Sequence, residues 1–208
     1  TGSSYAALRS DGSVVTWGDA RFGGDSSDLD FNGPYNNLCV TQIVSNGSAF
    51  AALRSDGSVI SWGDVYHGGN SSGVDFDGPN NNLLVSQIFS NGMGFSALRS
   101  DGSVVSWDLS TQFGAIGGSI IDLNGPENNL AANKIVSNDY AFAALRSDGS
   151  VVSWGYPSAG GDSGGVDFDG PDDNLTISQI FADGLGAFAA LRSDGSVVTW
   201  GWYPFATY

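Results

Sequence analysis

Oxygen-bearing side chains recur in this sequence at spacings that suit a hard cation. Asp28-x-Asp30-x-Asn32-Gly33, Asp75-x-Asp77-Gly78, Asp122-x-Asn124-Gly125 and Asp167-x-Asp169-Gly170 alternate Asp or Asn oxygens ahead of a glycine. Such a loop can wrap Ca²⁺, which takes roughly six to eight oxygens. The candidate ligands are Asp28, Asp30, Asn32, Asp75, Asp77, Asp167, Asp169 and Asp172, and the fourth loop, where Asp172 and Asp173 add charge, is the best of them. Only the first loop fits the Asp/Asn spacing of an EF-hand, and Cys39 stands where the bidentate Glu would be. Binding without that Glu belongs in the weak, extracellular range of about 10⁻⁴–10⁻³ M. The competing reading is a set of Asx turns ahead of Pro34, Pro79, Pro126 and Pro171.

Other reactive groups are few. Five of the seven bases occupy one repeated position, at Arg9, Arg54, Arg99, Arg146 and Arg192. They suit either a ring that captures an anion or five copies of one structural contact to an Asp or Trp of a neighbouring unit. The second reading is preferred in a chain this acidic. The single His, His67, has no partner at a fixed spacing, and the single Glu is Glu127. Cys39 replaces Leu84 and Thr176 at a strand start, which reads as packing. No glycine-rich phosphate loop opens a helix. No cofactor beyond calcium is expected, and no catalytic residue is assigned; the reading is of a chain that is not an enzyme.

The elements that position these groups are repeats. The arginines step by 45, 45, 47 and 46 residues, and Trp17, Trp62, Trp107, Trp154 and Trp200 follow the same steps. Units of this length cannot bury an apolar face alone and must pack on one another. Hairpins are predicted near 5–17, 50–62, 95–107, 142–154 and 188–200, each around an Asp-Gly pair. Asp56-Gly57, read as a two-residue type I′ loop, sets Leu53 opposite Ile60 and Ala51 opposite Trp62. A third strand precedes four of the hairpins, at 39–44, 84–89, 134–136 and 176–181. A short fourth strand is expected around Gly73–Phe76. The third unit is irregular between Trp107 and Ile116 and carries Glu127 and Lys134. The aromatic tail, 201–208, is expected to close or cap the assembly beside Tyr5–Leu8, since an open edge leaves backbone groups unpaired.

Acids outnumber bases 22 to 7, and the formal charge is −15. Such a surface repels phosphate backbones, so nucleic-acid binding is not expected. Gly, Ser, Asn and Asp favour turns over helix. One cysteine permits no intrachain disulfide, and no stretch reaches the roughly 20 apolar residues of a membrane span. The sequence opens Thr1-Gly2-Ser3-Ser4, which reads as a mature product or a piece of a longer chain.

Short antiparallel strands with both faces covered describe a propeller blade. The expected fold is all-β: one repeat domain, 1–208, forming a β-propeller of about five short blades, with a β-solenoid as the alternative. Gln42-Ile43, Asn46-Gly47, Ala52-Leu53, Asp56-Gly57, Val59 and Trp62-Gly63 resemble the repeat of the regulator-of-chromosome-condensation family, and the likeness recurs along nearly the whole chain. Phe50, Phe95, Phe142 and Phe188 stand near the point where that family carries His. The repeats are also similar to those strung along large secreted or surface proteins of marine microbes. The resemblance implies a β-propeller with a binding role. A non-enzymatic binding or scaffolding module is therefore expected, outside the cell or at its surface, with a protein or glycan ligand and a place in a longer repeat array or larger assembly. The alternative is a regulator that acts like an exchange factor on a GTPase.

Overall fold

The computed structural model describes residues 3–107, 119–123 and 130–201. The aromatic tail from 202 to 208 lies outside them, as do Glu127, Asn124-Gly125 and the irregular stretch after Trp107. The chain falls into two compact units, Thr1–Ile121 and Asp122–Tyr208. In the first, β1 (Ser4–Leu8) pairs with β2 (Val14–Gly18). A second sheet orders β3 (Val40–Ser45), β4 (Ala49–Arg54) and β5 (Val59–Gly63). A third orders β6 (Val85–Ser90), β7 (Phe95–Arg99), β8 (Val104–Trp107) and β9 (Ser119–Ile121). The second unit holds β10 (Ala132–Ser137), β11 (Ala141–Arg146) and β12 (Val151–Gly155) in one sheet. Its other sheet holds β13 (Ile177–Ala182), β14 (Ala187–Arg192) and β15 (Val197–Gly201). All pairs are antiparallel.

The hairpins and the strands preceding them form where the sequence places them. The expected fourth strand at Gly73–Phe76 does not. That segment is turn, bend and irregular chain, and a fourth strand, β9, pairs with β8 in the third repeat instead. The hairpin loop also differs. Gly57 has φ +81, whereas Asp56 is not in the left-handed region. Gly57 N–H donates to the Arg54 carbonyl, and Arg54 N–H to the Ser58 carbonyl. The loop is therefore Ser55-Asp56-Gly57, a three-residue turn ending in a left-handed glycine. The Asp56 carboxylate stabilises it by accepting from the Ser58 N–H and hydroxyl, at 3.0 and 2.5 Å. The extra loop residue moves the register by one, so Phe50 faces Trp62 and Ala52 faces Ile60.

This register sorts large and small side chains onto opposite faces. One face of the second sheet carries Phe50, Ala52 and Trp62; the other carries Ala49, Ala51 and Leu53. That small face takes Phe95, Ala97, Val105 and Trp107 of the next sheet into one buried cluster. The second unit repeats the arrangement: Ala141, Ala143 and Leu145 receive Phe188, Ala190 and Trp200. Bulky rings against alanines let neighbouring sheets approach to native packing density. Trp62, Trp107, Trp154 and Trp200 are buried at 2–8 % exposure, but Trp17 is 50 % exposed. Burial of every repeat tryptophan, the natural expectation, therefore fails at the first. Trp62 and Trp107 lie under a loop of the preceding repeat, and no such loop covers Trp17 among the described residues.

A side chain also ties adjacent sheets. Gln42 of β3 donates to the Ile88 carbonyl and accepts from the Ile88 N–H, both at 2.9 Å, on the free edge of β6. It satisfies both backbone groups of a residue that is 1 % exposed. Gln42→Leu keeps the volume but strands that pair. A loss of about 1–3 kcal/mol is expected, read as a lower urea midpoint at constant slope; an unchanged midpoint would show that the clamp is not energetically used. In the second unit Lys134 holds the equivalent place, donating to the Ile180 carbonyl at 2.9 Å with its ammonium over Phe181.

Candidate binding surfaces

Three of the residues singled out as calcium ligands accept turn hydrogen bonds in the structure. Asp30 Oδ1 accepts from the Asn32 N–H at 3.0 Å, Asp75 Oδ1 from the Gly78 N–H at 2.7 Å and Asp167 Oδ1 from the Gly170 N–H at 2.6 Å. Asp28, Asp77, Asp169 and Asp172 are exposed beside them, as is Asn32. Among the described residues no three His, Cys, Asp or Glu side chains gather into a group able to hold a metal. The same loops do something the spacing of acids concealed. Phe31, Phe76 and Phe168 pack edge-on against Trp62, Trp107 and Trp200, with ring centroids 5.1–5.3 Å apart. The indole N–H groups of those tryptophans donate to the carbonyls of Gly23, Gly68 and Gly160, at 3.0–3.1 Å. The legible signal is the Phe that directly follows Asp30, Asp75 and Asp167.

The arginines reach back into the same loops. Arg54 donates to the Asp30 carbonyl at 3.3 Å and Arg146 to the Asp122 carbonyl at 2.9 Å. Arg192 donates to the carbonyls of Phe168 and Asp167, with the Asp167 carboxylate 3.8 Å away. Four of the five are half-buried or buried, and Arg9 is exposed. His67 does have a partner: its Nδ1 lies 2.8 Å from Asp64 Oδ2 within one short 3₁₀ turn. Cys39 is a half-buried free thiol beside Gly12 of the first turn.

The turn aspartates make stability depend on pH. The Ser150 hydroxyl and N–H hold the Asp148 carboxyl below its ordinary range, and Ser13 and Ser196 do the same for Asp11 and Asp194. At Asp56 burial pushes upward, but the Ser58 bonds and the charge of Arg54 outweigh it. A carboxyl depressed in the folded state stabilises above its unfolded pKa of about 3.9 and stops doing so as pH falls through the folded value. Stability should therefore hold from neutrality down to about pH 4 and fall below it. Asp148→Asn should make that fall shallower, measured as urea midpoints between about pH 2 and 7; a flat profile would count against the turn bonds.

One surface departs from the repeat. Tyr140 and Leu185 stand at the repeat position held by Ser48, and Tyr156-Pro157 stands where Asp19 and Asp64 begin their 3₁₀ turns. Asp19 and Asp64 cap those turns by accepting from Arg21 and Tyr66 N–H. Tyr156 makes no such cap, and Pro157 presets the first φ instead. Tyr140, Tyr156, Ser158, Ala159 and Leu185 line a cleft of about 410 Å³. The tyrosine rings are 6.4 Å apart and inclined at 59°. Leu185 is 69 % exposed. The cleft offers ring faces and aliphatic surface with a polar rim, which suits binding.

No protein-family model matches the chain, and no curated protein matches it. Solved structures do. Yeast RCC1 (Prp20) bound to Kap60 superposes with a TM-score of 0.63 at 19 % identity, over 97 % of this chain and 54 % of that one. The fold is an RCC1-like β-propeller. Human WBSCR16 gives a TM-score of 0.58 at 18 % identity, over 96 % and 59 % of the two chains. The ectodomain of the Physcomitrella patens receptor kinase CR4 gives 0.54 at 16 %, over 99 % and 51 %. The chain thus spans between half and three-fifths of each of these three structures. Among the described residues no helix is long and apolar enough to cross a membrane.

Proposed function

We propose that this RCC1-like chain is a non-enzymatic binding and scaffolding module that works outside the cell or at its surface. The observation that carries the reading is the tyrosine cleft. Three departures from the repeat, Tyr140, Tyr156 and Leu185, meet on one accessible surface, and they are aromatic and aliphatic rather than catalytic. The repeated polar groups are meanwhile engaged in turns and inter-repeat bonds. Proteins of the same fold support a binding role: yeast RCC1 was solved with Kap60 bound, and Prp20p was described with its binding to Gsp1p and histones. A protein or glycan fits the cleft, since tyrosine pairs an apolar face with a hydrogen-bonding tip. The acidic loops are proposed to take calcium weakly, as an accessory. The exposed Tyr5–Trp17 stack of the two-stranded first sheet supports a place in a longer array or larger assembly. A second reading, a regulator acting like an exchange factor on a small GTPase, is favoured by the Gsp1p binding of Prp20p.

The test is a protein and glycan binding screen with and without calcium, comparing the native chain with Tyr140→Ala/Leu185→Ser. Saturable binding that the variant loses, with the ligand recovered unchanged, supports the reading. Chemical conversion of a ligand, or no ligand at all, overturns it. Accelerated nucleotide release from a small GTPase would select the second reading.

A further inference from the structure

We infer that the chain also docks basic side chains, Lys or Arg, in a pocket built by the repeat itself. The inference rests on reading the chain as a protein-binding module and adds the chemistry of the partner. The pocket lies between the Asp-Gly turn of one repeat and the link that leads into the next repeat's first strand. It occurs in both compact units. In the first it measures about 320 Å³, with Val59, Val74 and Phe76 as its apolar wall and Asp56, Asp77 and Asn81 among its polar groups. In the second it measures about 330 Å³, with Val151, Val166 and Phe168 facing Asp148, Asp169 and Asp173.

Main-chain bonds hold the pocket open before any ligand arrives. Val85 N–H donates to the Gly57 carbonyl and Ile177 N–H to the Gly149 carbonyl, both at 3.2 Å. Leu83 N–H donates to the Asp77 carbonyl at 3.0 Å, and Leu175 N–H to the Asp169 carbonyl at 2.9 Å. A preformed site avoids the ordering cost of binding. The occupant follows from the lining. A Lys or Arg side chain has an aliphatic stem for the Val and Phe wall and a cationic head for the carboxylates. No Lys or Arg lines either pocket, Arg54 and Arg146 acting on Asp56 and Asp148 only from beside the turns, and the chain's −15 charge draws a basic segment toward it. The Ser150 bonds that keep Asp148 ionised leave that carboxylate charged for the contact. Asp173 stands where the first unit has Asn81, so the second pocket carries one more carboxylate and binds the cation more tightly.

The test is an NMR titration with a blocked Gly-Gly-Arg-Gly-Gly peptide and its citrulline counterpart. Amide shifts are expected at Gly149, Val166 and Thr176 and, at higher concentration, at Gly57, Val74 and Leu84, with the arginine peptide alone. Asp169→Asn/Asp173→Asn touches no turn bond of those side chains and should weaken the second pocket roughly tenfold, leaving the first unchanged. The charge-matched Asp28→Asn/Asp139→Asn should leave both within about twofold. Equal weakening by the two double variants, shifts spread over the whole acidic surface, equal binding of the citrulline peptide or no shift at millimolar peptide would each overturn the inference. Should these pockets fail while the screen still finds a ligand lost with Tyr140 and Leu185, only this inference falls.

Discussion

Replacing Trp107 with alanine is expected to cost about 3–5 kcal/mol, the range for removing a core aromatic ring. Trp107 is 2 % exposed, lies beside Phe95 at 5.4 Å with the rings tilted by 30°, and meets Phe76 edge-on at 5.1 Å. Its indole N–H is the donor to the Gly68 carbonyl, so the substitution leaves a cavity and an unmet acceptor at once. Trp17→Ala is the internal comparison. The same repeat position, half in solvent, should lose about 1 kcal/mol or less, because less apolar area leaves water there. Denaturant midpoints of the two variants decide the matter. Equal losses would mean that packing between sheets does not set the role of the repeated tryptophan.

The second large effect is expected at the glycine that follows each of these tryptophans. Gly63 has φ +107, and a Cβ built on it would lie 2.9 Å from Ala49 Cα and from the Ser48 carbonyl oxygen. Both neighbours are main chain of the paired strand and cannot turn aside. Gly63→Ala therefore combines a left-handed backbone penalty of about 1–2 kcal/mol with overpacking of about 1–3 kcal/mol, for a total of about 2–5 kcal/mol. Gly155 meets Tyr140 and Ala141 main chain in the same way in the second unit, at 2.7 and 2.8 Å, and should respond alike. A thermal melt of Gly63→Ala that overlays the native curve would contradict this account of the Trp-Gly pair.

Much of the architecture could be read before any coordinates, and the reasons are physical. A 45-residue period and apolar runs flanking Asp-Gly leave little choice but short antiparallel strands that pack on their neighbours. What could not be read was register. Two-residue and three-residue loops both accept Asp-Gly; in the structure Ser58 gives the Asp56 carboxylate two donors across the three-residue loop, a local contact that the Asp-Gly pair alone does not reveal. The one-residue difference exchanges faces, so Phe50 rather than Ala51 lies opposite Trp62. The Gln42 clamp was hidden for a related reason: its partner is backbone 46 residues away, and backbone carries no sequence signal. The alternation of oxygens in the acidic loops serves Asx turns as well as it would serve a cation. Phe31, Phe76 and Phe168, standing between those oxygens, hold three of the loops onto tryptophans. The tyrosine cleft was legible only by subtraction, as the positions where Tyr140, Tyr156 and Leu185 break the repeat.

The claim beneath all of this is that the repeated tryptophans are architecture, locked between successive sheets. Hydrogen exchange at the indole N–H groups tests it most directly, because each is a single proton with a defined environment. The protons of Trp62, Trp107 and Trp200 are donated to buried carbonyls and should exchange orders of magnitude more slowly than that of half-exposed Trp17. One uniform, fast rate for all four would contradict it.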